Sequence, residues 1–281
     1  MASESGHLFA SPALAARLDR AEGRLCASIA RAVAAGSARS RAEVFDIGGG
    51  VAVFAGAASP TNKMIGVGFD GPLDEHELDL VERAFADRGA PLQAEVATLA
   101  DPSVHALLVR RGYEPRGFEN VLGHSLDGIA APPAGVRVDR AAEGELADWA
   151  DVVITGFASP DLGGGGGEPM PPPDELRAGI ALTMSLPGFQ AAVARLDGQL
   201  VGGGSLRLDE GIAQFSGAAT LPAFRRRGVQ TALLRWRLAH ARASGCDIGV
   251  VTTYPASKSQ ENVQREGFAL LYARQLLVKA P

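Results

Sequence analysis

The sequence predicts an α/β protein of the α+β type, with two domains that each carry a mixed, mostly antiparallel sheet flanked by helices. Three observations lead to this prediction. Short apolar runs of strand-like composition alternate with segments of helical period. The chain has 281 residues, more than a typical single domain. A helix end followed by glycine and an aromatic residue occurs twice, at Gly112-Tyr113 and at Gly267-Phe268, which indicates an internal repeat.

The first predicted domain, residues 1–128, has its own strands and helix. The segment 76–88 predicts a helix because Leu78, Val81 and Phe85 recur at helical spacing. The predicted strands of this domain are residues 51–54, 64–69 and 92–98.

Residues 129–135 have linker composition, and the second predicted domain follows at 136–281. Its predicted strands and helices are strand 136–138, a helix from Glu143 past Trp149, strand 212–220, helix 229–243, strand 248–253 and strand 270–278. The run Gly163–Gly167 predicts a flexible loop, since it lacks the Gly-Lys-Ser/Thr of a phosphate-binding loop. Gly202–Gly204 predict a bulge or tight packing within a strand.

Composition excludes several functional classes. The net charge of −5 argues against a nucleic-acid-binding protein, which needs a basic surface. Cys26 and Cys246 lie far apart without a ligand cluster around them, so we expect free thiols in a reducing cytoplasm and no metal site. No apolar run reaches the roughly 18 residues of a membrane span. Charged residues interrupt the N-terminal segment where a signal peptide would need an apolar core.

The segment Leu221–Leu234 carries the clearest functional signal. Pro222 ends an apolar strand, Gly228 makes a turn, and a helix begins at Val229. Such a passage directs backbone N–H groups and the positive end of the helix dipole at one point, which favours an anion. Glycine permits close approach of the backbone, and the neighbouring arginines supply charge for a phosphate ester. These arginines are Arg225, Arg226 and Arg227. Taken alone, they also fit a solvated surface turn.

The order of elements around this segment resembles the GCN5-related N-acetyltransferases, the GNAT superfamily, in a tandem form. The family's pyrophosphate signature, Gln/Arg-x-x-Gly-x-Gly/Ala, matches at Arg225 and Gly228, while Gln230 replaces its last small residue. Asn262 and the Gly267-Phe268 pair also fit the family pattern. The similarity is close over residues 195–279 and loose elsewhere.

The resemblance implies acetyl-CoA as cosubstrate, with pantetheine beside the strand before the turn and pyrophosphate at the helix start. The implied acetyl-CoA-binding residues are Ala218, Ala219, Thr220, Arg225, Arg226, Arg227, Gly228, Val229, Gln230, Thr231, Ser259 and Asn262. From composition alone, the small residues of the strand also fit an ordinary sheet, and the two residues near 260 also fit helix caps.

The first half has no such basic turn. The corresponding segment, Gly68–Glu75, carries Asp70, Asp74 and Glu75, which would repel a pyrophosphate. We therefore expect a degenerate domain that binds no cofactor.

The catalytic residues stay unassigned. The family's carboxylate base corresponds to Gln214, and its tyrosine acid corresponds to Val263. Tyr254 and Tyr272 are other candidates, for which a structural role is favoured. The predicted function is transfer of an acetyl group from acetyl-CoA to an amine of a small molecule or peptide by direct attack. The alternative is a non-catalytic acyl-CoA sensor or interaction protein.

Overall fold

The computed structural model describes residues 8–57, 59–159 and 172–281. They form two compact units. The N unit comprises residues 9–121 and 271–281, and the C unit comprises Leu8 and residues 122–270. The domain boundaries at 128 and 136 were inferred from the linker composition of residues 129–135 and remain a prediction.

Between residues 8 and 124, the described residues form three helices and five strands. They are α1 (Pro12–Gly36), β1 (Glu43–Ile47), β2 (Gly50–Phe54), β3 (Lys63–Ile65), α2 (Glu75–Ala86), β4 (Leu92–Ala97), α3 (Pro102–Arg110) and β5 (Glu114–His124). The last three residues of β5 belong to the C unit.

The remaining elements follow in chain order. They are β6 (Val136–Arg140), α4 (Leu146–Phe157), α5 (Pro173–Met184), β7 (Phe189–Leu196), β8 (Gln199–Asp209), β9 (Ile212–Thr220), α6 (Val229–Ala243), β10 (Ile248–Thr253), α7 (Lys258–Arg265) and β11 (Ala269–Lys279). From Leu271 onward, β11 belongs to the N unit.

The sheet of the N unit has the strand order β1-β2-β3-β4-β11-β5. Strands β3 and β4 are parallel, whereas β1 with β2, β2 with β3 and β4 with β11 are antiparallel. Cys26, Ala27 and Ala30 of α1 pack against Val53 of β2. Helices α2 and α3 bury their apolar residues in a separate core with β2 and β4. The N unit is therefore a sheet with helices on both faces.

Helix α1 is held to its sheet by buried ions as well as by apolar contacts. Arg274 of β11 is 1% exposed, and its Nη2 lies 2.8 Å from Oδ1 of Asp19. Lys63 of β3 lies 3.1 Å from Glu22 and 2.7 Å from Glu95. Since an unpaired buried charge is costly, these pairs fix α1 and β11 in place.

The sheet of the C unit has the order β5-β10-β9-β8-β7-β6. Strands β6 to β9 are antiparallel neighbours, and β10 runs parallel to β9. Glycines in β8 show which helix covers each face. A Cβ at Gly203 would meet Trp149 of α4 at 2.7 Å, while one at Gly202 would meet Val229 of α6 at 2.6 Å. The predicted tight packing of this glycine run is confirmed.

Several predicted elements have the expected bounds, notably the helix 229–243 and the strand 248–253. The strand predicted at 64–69 is shorter, because Gly66 and Gly68 have φ of +77° and +81° and end it. The predicted loop at 163–167 lies outside the described residues. In the part of the chain that the structure describes, no helix has both the length and the apolar character needed to cross a bilayer.

Candidate functional site

The central strands of the C unit separate halfway along their length. Strands β9 and β10 pair from Ile212 with Ile248 to Gln214 with Val250. Beyond this point β9 continues to Thr220 and β10 continues to Thr253 without pairing to each other. The facing backbone edges of the two strands are therefore open to an extended ligand.

A β-bulge in β9 accompanies this separation. Ser205 of β8 pairs with Ser216, but Gly203 pairs with Ala219, so β9 holds one extra residue over this stretch. Gly217 has φ of +57°, a conformation that glycine adopts without strain. A Cβ at this position would lie 2.8 Å from the hydroxyl of Ser205. The bulge therefore depends on glycine.

The N-terminus of α6 lies just beyond the end of β9. Gly228 is the N-cap residue, with φ of +80°, and offers no side chain to the helix. Its carbonyl accepts the first helical bond from Ala232. The N–H groups of Val229, Gln230 and Thr231 donate no hydrogen bond to the described residues. These are the donors that a helix start offers to an anion.

The three arginines of the turn have different roles. The Arg225 guanidinium donates to the carbonyls of Gly156, at 3.2 Å, and Ser159, at the end of α4. Arg225 thus joins α4 to the end of β9 instead of pointing freely into solvent. Arg226 is exposed, with φ of +60°, and its side chain has no partner among the described residues. Arg227 is also exposed and lies 4.0 Å from Asp197.

The ends of the separated strands carry two buried hydroxyls without partners. Thr220 is the last residue of β9 and Thr253 the last of β10, and neither Oγ1 forms a hydrogen bond with the described residues. Buried polar atoms are normally paired, so each unpaired one needs an explanation. A polar ligand between the strands would satisfy both. Thr253 was not identified from the sequence.

Helix α7 begins shortly after β10, and its N-cap residue is neither of the two residues that the sequence suggested as caps. The N-cap is Ser257, whose hydroxyl accepts from Gln260 N–H at 3.2 Å. Ser259 and Asn262 lie within the helix, so the suggestion that they act as caps is wrong. Neither side chain forms a hydrogen bond with the described residues, and both remain available to a ligand.

In this chain, the positions that correspond to the family's catalytic residues are occupied by side chains with other roles. Gln214 accepts a hydrogen bond from Arg207 Nη1 at 2.8 Å, and Arg207 is paired with Asp209 at 2.9 Å. Val263 is buried in the apolar core beside Phe268. Tyr272 belongs to the N unit, where its hydroxyl donates to Asp19 at 2.5 Å, so its role is structural.

Arg237 of α6 is a second residue that the sequence did not reveal. It is 2% exposed and lies directly behind the bulge of β9. Burial lowers its pKa to about 10, and no described carboxylate pairs with it. In the sequence, Arg237 is a charged residue that follows Leu233 at helical spacing, and this was the available signal. In the structure it lies against the glycine run of β8.

His240, on the same helix, has a packing role. Its ring stacks on Trp236 at 4.8 Å between centroids, and Nε2 lies 2.6 Å from Gln190 Oε1. Burial lowers its pKa, so the ring is neutral at physiological pH. These contacts place His240 in the packing of the helix.

A cavity of about 1090 Å³ in the C unit lies away from the open helix start. It is lined by residues from the second half of α6, including Leu238 and Arg242, and by the end of α7. Arg235 also lines it, but its charge is neutralised by Glu266 at 2.6 Å. Among the residues that the structure describes, no cluster of three His, Cys, Asp or Glu side chains could hold a metal.

Comparison with known families agrees with the geometry of the C unit. Residues 165–268 match the model of the acetyltransferase (GNAT) family. This part of the chain is therefore a GNAT domain. No curated protein matches the sequence.

Solved structures extend the similarity of fold to the rest of the chain. A GCN5-related N-acetyltransferase from Kribbella flavida is 20% identical, with a TM-score of 0.65 and coverage of 95% of both chains. Another from Sphaerobacter thermophilus is 17% identical, with a TM-score of 0.56 and coverage of 73% of this chain and 67% of the other. A tandem GNAT protein from the clavulanic acid biosynthesis pathway is 14% identical, with a TM-score of 0.52 and the same coverages. The chain thus has a GNAT fold.

Proposed function

We propose that this protein is an acetyl-CoA-dependent N-acetyltransferase that acts on an amine of a small molecule or peptide. The observation that carries the proposal is the gap between β9 and β10, which ends at the uncapped N-terminus of α6. Acetyl-CoA has an extended pantetheine arm and a pyrophosphate, and the gap and the helix start fit them in that order. Ala218, Ala219 and Thr220 would line the arm.

The phosphates would be held by backbone donors and by two exposed arginines. Gly228, Val229, Gln230 and Thr231 supply the helix start, and Arg226 with Arg227 supply charge. Arg225 contributes indirectly, because it holds the end of α4 against β9. Ser259 and Asn262 of α7 would contact the ligand from the side of β10.

The chemistry that fits this site is direct transfer. The amine nitrogen attacks the thioester carbon, a C–N bond forms, and the C–S bond breaks. The proton lost by the amine passes through water to the departing thiolate, since neither Gln214 nor Val263 can carry it. The site contributes by orienting the reactants and by donating hydrogen bonds to the oxyanion.

An acyl-enzyme on cysteine is disfavoured by the state of the thiols. Cys26 is buried, and burial raises its pKa to about 12, which leaves almost no thiolate. Cys246 is half-buried and is not part of a disulfide. Direct attack requires neither residue.

A second candidate function is a non-catalytic acyl-CoA sensor. The specific observation that favours it is the replacement of the family's base by Gln214, which is bonded to Arg207. A sensor would need the open helix start but no proton acceptor.

The test begins with calorimetric titration of the intact protein with acetyl-CoA, for which one site per chain is expected. Release of free thiol from acetyl-CoA is then followed over a panel of amines, aminoglycosides and peptides. Cys26→Ala and Cys246→Ala should retain the wild-type rate. Gln214→Glu should leave turnover unchanged or raise it slightly, because Arg207 would hold the pKa of the new carboxylate low.

The outcomes distinguish the acetyltransferase from the acyl-CoA sensor. Absence of acetyl-CoA binding contradicts both functions. Binding without thiol release for any acceptor favours the sensor. Loss of turnover in a cysteine variant that still binds acetyl-CoA contradicts direct transfer.

A further inference from the structure

A buried arginine without a carboxylate partner lies behind the open part of β9. Among the described residues, the Arg237 guanidinium contacts only backbone carbonyls and an aromatic ring. Its Nε donates to Leu233 at 3.2 Å, one turn earlier in α6. Its Cζ lies 5.2 Å from the centroid of Phe215. A charge buried in this way is costly, so its retention calls for a role beyond packing.

The remaining contacts of Arg237 are directed at the bulge. Nη1 donates to the carbonyl of Ser205 at 3.0 Å and to the carbonyl of Ser216 at 3.3 Å. These two serines are the last pair before the register shifts. The Ser216 carbonyl belongs to the same peptide group as the N–H of Gly217. One guanidinium therefore joins the two strands where β9 changes direction.

The space for this side chain is provided by glycine. A Cβ at Gly204 would lie 3.2 Å from Cζ of Arg237 and 3.3 Å from its Nε. Gly204 lies opposite the bulge, between the paired Gly203 and Ser205. Gly204 in β8 thus leaves the space that the Arg237 guanidinium of α6 occupies.

We propose that Arg237 is a positioning residue for acyl-CoA: by fixing the bulge at Gly217, it sets the direction in which the second half of β9, which is not paired with β10, continues along β8. The inference rests on the proposed function, since that unpaired part is assigned to pantetheine. The pyrophosphate site at Gly228 depends on α6 itself and is independent of the bulge. Loss of the guanidinium should therefore weaken binding of the pantetheine arm and leave the phosphate contacts unchanged.

The experiment compares two ligands in calorimetric competition. Acetyl-CoA occupies both parts of the site, whereas ADP carries the pyrophosphate without pantetheine. Arg237→Leu should weaken acetyl-CoA by about tenfold or more, because charge-assisted hydrogen bonds are lost, and should change ADP affinity by less than about twofold. Arg237→Lys, which keeps the charge and one donor, should restore part of the loss. Arg242→Leu is the matched control, an exposed arginine of the same helix away from the site.

Gly204→Ala keeps the proposal testable if Arg237→Leu does not fold. The added methyl group displaces the guanidinium by a few tenths of an ångström, so a smaller loss of acetyl-CoA affinity is expected, again without loss of ADP affinity. Equal weakening of both ligands, or unchanged acetyl-CoA affinity in a folded Arg237→Leu protein, overturns the inference. A wild-type protein that binds neither ligand instead contradicts the proposed function.

Discussion

Two helices in this chain connect parallel strands, yet their N-termini have opposite chemistry. Helix α2 joins β3 to β4, and α6 joins β9 to β10. At α2 the N-cap Asp74 accepts from the N–H groups of His76 and Glu77 at 2.7 and 3.1 Å. At α6 the N-cap is Gly228, and the corresponding donors bond to none of the residues that the structure describes. A single cap residue thus decides whether a helix start is satisfied internally or is available to a ligand.

The strands before the two helices differ as well. Strand β3 ends at Ile65, the last residue that pairs with β4. Strand β9 continues from Phe215 to Thr220 after its pairing with β10 has ended. Within the described parts of the two units, the combination of a gap between strands and an open helix start is therefore found in the C unit alone.

The largest expected effect comes from giving α6 the cap of α2. In Gly228→Asp the carboxylate would occupy the helix start and oppose the pyrophosphate at short range. We expect CoA affinity to fall by about 100-fold or more, since like charges at about 4 Å repel by several kcal/mol at the effective dielectric of a protein surface. Calorimetric titration with CoA measures the loss.

Gly228→Asn is the matched control for this change, because it has the same shape without the charge and tolerates a positive φ. It should lose markedly less affinity than Gly228→Asp. Equal affinity of the Asp variant and wild type, with both proteins folded, would remove the phosphate site from this turn.

The second prediction concerns Glu119, which lies in the interior of the N unit. Glu119 lies 4.0 Å from Arg274, and burial together with the charge of Glu95 raises its pKa to about 7. A folded-state pKa above the unfolded value means that the native state holds the proton more tightly. Stability should therefore fall as pH rises from about 4.5 to about 7. Glu119→Gln should be more stable than wild type at pH 8, on the order of 2 kcal/mol, and similar at pH 4.5.

Urea unfolding of both proteins across this pH range checks the prediction. The difference between variant and wild type isolates Glu119 from the buried histidines of the C unit, whose lowered pKa acts in the opposite sense. A difference that does not change with pH would contradict the prediction, because it would show that the pKa of Glu119 is the same in the folded and unfolded states.

The third prediction separates the arginines of the turn by salt dependence. Arg226→Ala combined with Arg227→Ala should weaken CoA by about tenfold at low salt and less at high salt, because exposed charges are screened. Arg225→Ala should weaken CoA with little salt dependence and lower the melting temperature, since its bonds to the end of α4 are lost. Titration at two ionic strengths, with thermal unfolding alongside, makes the comparison. Identical salt dependence of the two variants would contradict these separate roles.

The smallest expected effect is at the satisfied helix start. Asp74→Ala should destabilise the protein by about 1 kcal/mol through loss of the cap. Because Glu75 and Glu77 remain in the first turn, it should not create a second CoA site. Denaturant unfolding and binding stoichiometry measure the two effects. A stoichiometry of two per chain, in this variant or in wild type, would contradict a degenerate N unit.

Much of the C unit follows from local sequence. The helix 229–243 and the strand 248–253 were predicted with their observed bounds, because their apolar spacing and flanking glycines agree. Helix α1 was not predicted. Its buried face includes Asp19 and Glu22, whose partners Lys63 and Arg274 are distant in sequence. The rest of this face consists mainly of alanines with Leu18 and Cys26, so acidic residues and small side chains weaken its hydrophobic period.

The site was predictable to a similar degree. The turn and its uncapped helix could be inferred, since both depend on neighbouring residues. Two other features could not be inferred, because each depends on where separate segments of the chain meet. They are the hydrogen bond from Arg225 to the carbonyl of Gly156 and the hydroxyl of Thr253, which is unpaired among the described residues. The bulge at Gly217 needed the register of β8, which no local pattern specifies.

The assignment of β11 has a consequence for synthesis of the protein. The N unit contains residues 9–121 but also 271–281, which the ribosome adds after the whole C unit. Until Arg274 emerges, Asp19 lacks its buried cation, and β4 lacks its antiparallel neighbour. A nascent chain that ends at Leu270 can complete its C unit while its earlier half stays unfinished. The C unit can therefore be completed before the N unit, although most residues of the N unit are translated first.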